Sequence, residues 1–177
     1  MKKLFSASIT MALIASSAQA YDNITAQEAY VMLASGEAIM LDVRTPEEWA
    51  WVGHPGKNKS GYGSEIEKYV INIAWEIEKP GHGYELIPNN LFLGDVKKLR
   101  LPSDKPIITI CRSGGRSVSA ALALEDAGYT NLYNTLKGFE GGTDSDGYRT
   151  KEEGWKNTGL PYTFGFTGEI DEHIPGN

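Results

Sequence analysis

The chain has 177 residues, with 17 Lys or Arg against 23 Asp or Glu and a formal charge of −6 at neutral pH. That length suits one domain with a real core, and the acidic balance excludes the basic stripe by which proteins hold nucleic-acid phosphates. Any anionic substrate therefore needs a local positive site working against the global field.

Residues 1–20, MKKLFSASITMALIASSAQA, have two lysines, an apolar stretch and a small-x-small end. This is the grammar of a secretory signal peptide, too short in its apolar part to span a membrane. The short Lys-Lys start is of bacterial type, so the mature protein is expected in a periplasm, with no membrane span after cleavage. The domain proper is expected over 21–142, followed by an irregular extension over 143–177, packed on or trailing the domain, with one short helix at most. Thr25-Ala26-Gln27-Glu28 reads as a capping box opening a helix to about Ala34, stopped at Gly36. Ala38 to Val43 is a short buried strand with Asp42 near its end. Thr45-Pro46-Glu47-Glu48 starts a short helix carrying Trp49, with Pro46 suited to the first helical position. His54 to Glu65 is rich in glycine and lysine and reads as a loop.

Tyr69 to Trp75 resumes as a strand, and a polar segment leads to an amphipathic helix ended by Pro102. Pro106 to Ile110 is a continuous apolar run of the kind parallel sheets bury. Ser117 to Ala127 is helical and closes at Gly128, and Asn131 to Leu136 is a further strand. Strands alternating with helices predict an α/β fold, a parallel sheet flanked by helices on both faces.

The chain's one cysteine, Cys111, lies just past the strand that ends at Ile110. In an oxidising compartment an unpaired cysteine means intermolecular pairing or a reactive thiol, with a small buried hydrophobe as the bland alternative. Its neighbours favour reactivity. α/β sheets place ligands at the C-terminal ends of their strands. The loop from Arg112 to Arg116 aims backbone N–H groups and the positive end of a helix dipole into one concavity. Gly114 and Gly115 permit the positive φ values of a tight cradle, and Arg112 and Arg116 bracket it. All of this favours an anion, first of all the cysteine's own thiolate.

Together with this loop, ICRSGGRS, three further stretches resemble the rhodanese-like (thiosulfate sulfurtransferase) domain family: LDVRTPEEW at 41–49, VGHPG with INI at 52–73, and GYTNLYNTLKGFEG at 128–141. The resemblance spans about residues 24–142, with a weaker echo in GWKNTGLPY at 154–162. It implies the rhodanese-like fold and a persulfide enzyme. Cys111 would take the outer sulfur of a small anionic donor such as thiosulfate and pass it to cyanide or to a thiol acceptor, free or carried by a protein. A covalent intermediate of this kind predicts ping-pong kinetics. The N–H groups of Arg112, Ser113, Gly114, Gly115, Arg116 and Ser117 would hold the persulfide. Arg112 and Arg116 would draw in the donor and steady departing sulfite. Asp42 and Arg44 match the family's strand-end pair and would support the loop from beside it.

Other readings of the same loop are a sulfur carrier or redox module loaded by a partner, an inactive scaffold, and a phosphatase or arsenate reductase. The spacing Cys-x4-Arg argues against the last, because those enzymes use a loop one residue longer to enclose a tetrahedral oxyanion. No cofactor is implied. The histidines His54, His82 and His173 are too scattered to suggest a metal site. His54 is expected to make a structural hydrogen bond. The four tryptophans, Trp49, Trp51, Trp75 and Trp155, are expected to pack in the core or the extension. Lys57 to Val70 is an insertion relative to the family, a lid, a partner surface or, by preference, a tolerated surface loop, whose lysines could add local positive charge.

Overall fold

The computed structural model describes residues 20–81, 85–149, 151 and 153–165. β1 (Asp22–Ile24) leads into α1 (Ala26–Ala34), then β2 (Ile39–Asp42), a π-helical turn at Glu48–Val52 and β3 (His54–Pro55). β4 (Val70–Asn72), β5 (Glu76–Glu78) and β6 (Leu86–Pro88) precede α2 (Phe92–Lys98). β7 (Ile107–Ile110), α3 (Gly115–Asp126) and β8 (Leu132–Thr135) follow, then β9 (Tyr162–Thr163).

Five strands make one parallel sheet in the order β1-β8-β7-β2-β4. Side chains of a strand alternate between faces, and both faces of this sheet are apolar. Met40, Ile108 and Ile110 pack with Ala29 and Leu33 of α1. Ile39, Leu41 and Ile107 pack on the other face with Phe92 and Val96 of α2 and Ala120 and Leu124 of α3. This is the α/β sheet with helices on both faces that the sequence predicts. The capping box also forms: Thr25 Oγ1 accepts from the Glu28 N–H at 3.2 Å and Glu28 accepts from the Thr25 N–H at 2.7 Å.

Five short strands, β1, β3, β5, β6 and β9, escape the sequence reading. β1 is three residues at the sheet edge beside β8, β5 and β6 form a separate hairpin, and β9 pairs antiparallel with β3. Segments of two or three residues carry too little periodicity to register. The described part of the extension is packed, not trailing: Trp155 is wholly buried in the core on the α1 side, and its indole N–H donates to the Pro161 carbonyl at 2.8 Å. The insertion likewise sends Ile66 into that core, and the Tyr30 hydroxyl of α1 donates to Glu65. Trp51 departs from expectation, standing 80% exposed on the π-helical turn while Trp49 beside it is buried. The leader expected over 1–20 lies, except for Ala20, outside the described residues, as do His82 and His173. No helix among the described residues is long and apolar enough to cross a membrane.

Candidate active site

β7 ends at Ile110, and the next residue, Cys111, is 1% exposed at the floor of a concavity of about 280 Å³. The loop's shape depends on where its carbonyls go. Cys111 O accepts from the Phe139 N–H at 2.8 Å and Arg112 O accepts from the Glu140 N–H at 2.9 Å. With these carbonyls tied to the turn after β8, the Gly114 N–H donates to Cys111 Sγ at 3.1 Å. The approach is possible only because residue 138 is glycine. A Cβ there would sit 2.3 Å from Cys111 O, on a backbone at φ +57°.

Gly114 takes φ +116°, as a cradle needs, whereas Gly115 is already the first residue of α3. The helix thus begins two residues earlier than predicted and carries Arg116 and Ser117 in its first turn. Ser117 is buried, its Oγ lying 3.3 Å from Sγ, 2.9 Å from Gly114 O and 2.7 Å from Asn134 Oδ1. One hydroxyl proton serves three acceptors, so Ser117 can turn it toward a negative sulfur and withdraw it from the other two. Asn134 is held in turn by donating to Asn23 Oδ1 of β1 at 2.8 Å. Thr109 Oγ1, 3.0 Å from Ser117 O, fixes the helix start against β7.

The two loop arginines differ. Arg116 lines the concavity, but its terminal nitrogens form a bidentate pair with Glu48 at 2.6 and 2.7 Å. Burial opposes its charge, yet the hydrogen bonds and attraction of Glu48, with smaller pulls from Cys111 and Glu76, push its pKa above the usual arginine value. Burial works against the Glu48 carboxylate as well, but Arg116 and the Thr45 N–H hold its pKa below the usual range. Glu48 is therefore the start of a helical turn and also the anchor of Arg116. Arg112 is exposed on the rim with Ser113 and Gly115. The facing wall comes from the β5–β6 hairpin, as Glu76 and Leu86. Glu76 Oε2 stands 4.0 Å from Arg116 Nε.

Asp42 and Arg44 are both wholly buried and paired at 2.5 Å. Arg44 also donates to Gly53 O at 2.8 Å, and its guanidinium carbon lies 4.2 Å over the Phe139 ring. Phe139 is the residue whose N–H holds Cys111 O, so the pair braces the loop from one residue away and does not reach the concavity. His54 stacks on Trp49 at 3.7 Å and its Nδ1–H donates to the Trp49 carbonyl at 3.2 Å, the structural bond expected of it. Burial lowers its pKa to about 4, against the upward pull of that carbonyl.

The structure thus brings Cys111, Arg112, Ser113, Gly114, Gly115, Arg116 and Ser117 around one concavity, with Asp42 and Arg44 behind it. Lys57, Lys59 and Lys68 do not line it. Lys57 lies 3.7 Å from Glu67, and Lys68 sits 4.8 Å over the Tyr69 ring. Sequence reading missed Glu76, Leu86, Asn134 and the pairing of Glu48 with Arg116. Lys79-Pro80-Gly81 between two short alternating runs was a usable hairpin signal for the first two. The pairing spans 68 positions and leaves no local mark. Among the described residues no three His, Cys, Asp or Glu side chains converge to hold a metal ion.

The comparisons with known proteins agree on one family. The model of the rhodanese-like domain matches residues 25–145. Protein RC0915 of Rickettsia conorii is 36% identical over 146 residues, which are 80% of this chain and 97% of that one. The crystal structure of Rv0390 from M. tuberculosis superposes with a TM-score of 0.66 at 36% identity, covering 82% of this chain and 99% of that one. The thiosulfate sulfurtransferase GlpE of Actinobacillus succinogenes is 25% identical over 80% of this chain and 90% of its own.

Proposed function

This chain belongs to the rhodanese-like domain family, and on that premise we propose that it is a sulfurtransferase working through a persulfide on Cys111. The observation that carries the reading is the floor of the concavity. There the chain's one cysteine receives the Gly114 N–H at 3.1 Å and has the Ser117 hydroxyl 3.3 Å away. Both donors are held in place by the fold before any substrate arrives, which is what electrostatic stabilisation of a sulfur anion requires.

The thiolate of Cys111 attacks the outer sulfur of a sulfane donor, thiosulfate being the simplest. The S–S bond of the donor breaks and its electron pair leaves on sulfite. The persulfide anion then sits over the positive end of α3. An acceptor thiolate or cyanide attacks the outer sulfur in the second half-reaction, and Cys111 leaves as the thiolate it began as. With a single cysteine in the chain, the persulfide meets no resolving thiol of its own. Arg116 turned onto Glu48, in a Cys-x4-Arg loop, supports sulfur over phosphate as the transferred group. We place this chemistry in the periplasm on the strength of the leader alone. The mass of the N-terminus in a periplasmic extract tests that.

The reaction itself is tested by intact mass before and after thiosulfate, beside Cys111→Ser. Gain of one sulfur atom, removed by cyanide and absent in the variant, is the expected result. A folded, reduced sample that gains no sulfur from thiosulfate or inorganic polysulfide overturns the proposal.

A further inference from the structure

The rim of the concavity carries a charge pattern that an inorganic dianion does not explain. Among the described residues four charged groups line it or pair with one that does, and the buried Asp42–Arg44 pair behind them is neutral in itself. Arg116 is matched by Glu48 through two short hydrogen bonds, which leaves Arg112 as the exposed cation among the described residues and Glu76 as an opposing carboxylate. Glu76 is about one third exposed and 4.0 Å from Arg116 Nε, too far for a close pair and near enough to set the potential there. These four charges sum to zero before the sulfur anion on Cys111 is added. A doubly negative donor gains from Arg112 but is repelled by Glu76, a like-charge cost that a dedicated thiosulfate site would avoid. Leu86, from the other strand of the same hairpin, adds an apolar wall.

One carboxylate, one free guanidinium and one apolar surface around a sulfur nucleophile describe a small zwitterion. Resting on the sulfur-transfer reading above, we infer that the acceptor is a low-molecular-weight amino-acid thiol. Its ammonium is drawn to Glu76, its carboxylate to Arg112, and its methylene lies along Leu86. The acceptor thiolate forms a bond to the outer sulfur of the persulfide while the bond to Cys111 Sγ breaks. The electron pair returns to Cys111, the product is the acceptor's persulfide anion, and no oxidant or reductant is consumed. Opposite charges on the rim then select the partner, and the Gly114 N–H and Ser117 hydroxyl on the floor serve any sulfur alike.

The test isolates the second half-reaction. Enzyme loaded from inorganic polysulfide, desalted and verified by mass is mixed in single turnover with L-cysteine, 3-mercaptopropionate or cysteamine, and rates are normalised to thiolate. A charge-assisted hydrogen bond is worth about 1.5–3 kcal/mol, or tenfold and upward in rate. Wild type is therefore expected to favour L-cysteine over 3-mercaptopropionate, which lacks the ammonium. Glu76→Gln lowers that ratio by about tenfold. Arg112→Gln lowers the ratio of L-cysteine to cysteamine, which lacks the carboxylate, by a similar factor. Because each readout is a ratio within one protein, intrinsic thiol reactivity and a partial loss of folded enzyme both cancel. Ratios that survive both substitutions unchanged overturn the zwitterion inference and leave sulfur transfer standing. Failure of Cys111 to load at all overturns both, and the mass of the loaded sample separates the two outcomes.

Discussion

The floor and the rim of the Cys111 concavity are built by opposite means. The floor is locked inside the fold: Gly114 N–H on the sulfur, two carbonyls tied down by Phe139 and Glu140, and a wholly buried Asp42–Arg44 pair beneath. The rim is side chain, with Arg112, Glu76 and Leu86 all at least partly exposed, carried on a loop and a separate two-stranded hairpin. Groups fixed by the fold's own hydrogen bonds cannot be exchanged without cost to the fold, while exposed side chains can. The difference teaches where the reaction is stored and where its selectivity can drift.

That contrast can be broken most directly at Arg44. Arg44→Leu leaves the Asp42 charge buried without its partner, and loss of one member of such a pair costs roughly 3–5 kcal/mol. Urea melts are expected to show this, and a loss under 1 kcal/mol would make the floor less interlocked than its geometry implies. Gly138→Ala is expected to follow at about 3–4 kcal/mol, from a left-handed backbone carrying a Cβ and a clash that displaces Cys111 O. It should abolish persulfide formation even in the fraction that folds.

Acid provides a third probe. His54 has its pKa lowered to about 4 in the folded protein against an ordinary value of 6.5, so between these values the unfolded chain binds the proton that the folded chain refuses. Stability from this group is complete above pH 6.5 and lost as pH falls toward 4, by about 3 kcal/mol. His54→Phe is expected to flatten that part of the stability profile. Arg112→Ala, on the rim, sharpens the comparison from the other side. Its unfolding free energy is expected to stay within about 0.5 kcal/mol of wild type, while sulfur transfer drops about tenfold through one lost charged contact.

The floor was legible in the sequence because its determinants are contiguous. A β-branched strand, a cysteine, two glycines and a helix follow one another from Ile107 to Asp126, and the spacing alone predicts a dipole aimed at the thiol. Even there the reading gave Gly115 a positive φ that it does not take, since two glycines in a row do not say which one turns the chain. The rim was not legible. Glu76 and Leu86 belong to strands of three residues, and Arg116 finds Glu48 from 68 positions away. Tertiary partners of exposed charges leave no periodic trace. Trp51 misled for a related reason: its neighbour Trp49 is buried, but a π-helical turn puts the tryptophan two positions on into solvent.

The hydrogen bonds that run from Cys111 Sγ through Ser117 and Asn134 end at Asn23, on a three-residue strand with a neighbour on one side only. Marginal strands of that kind fray, and their opening free energy is read by amide exchange. If loading the thiol with sulfur draws the Ser117 proton inward, the strand's opening equilibrium shifts, and by reciprocity a frayed strand weakens the hold on sulfur by the same amount. The exchange rates of β1 amides at the margin of the sheet are thus expected to record whether Cys111 carries a sulfur.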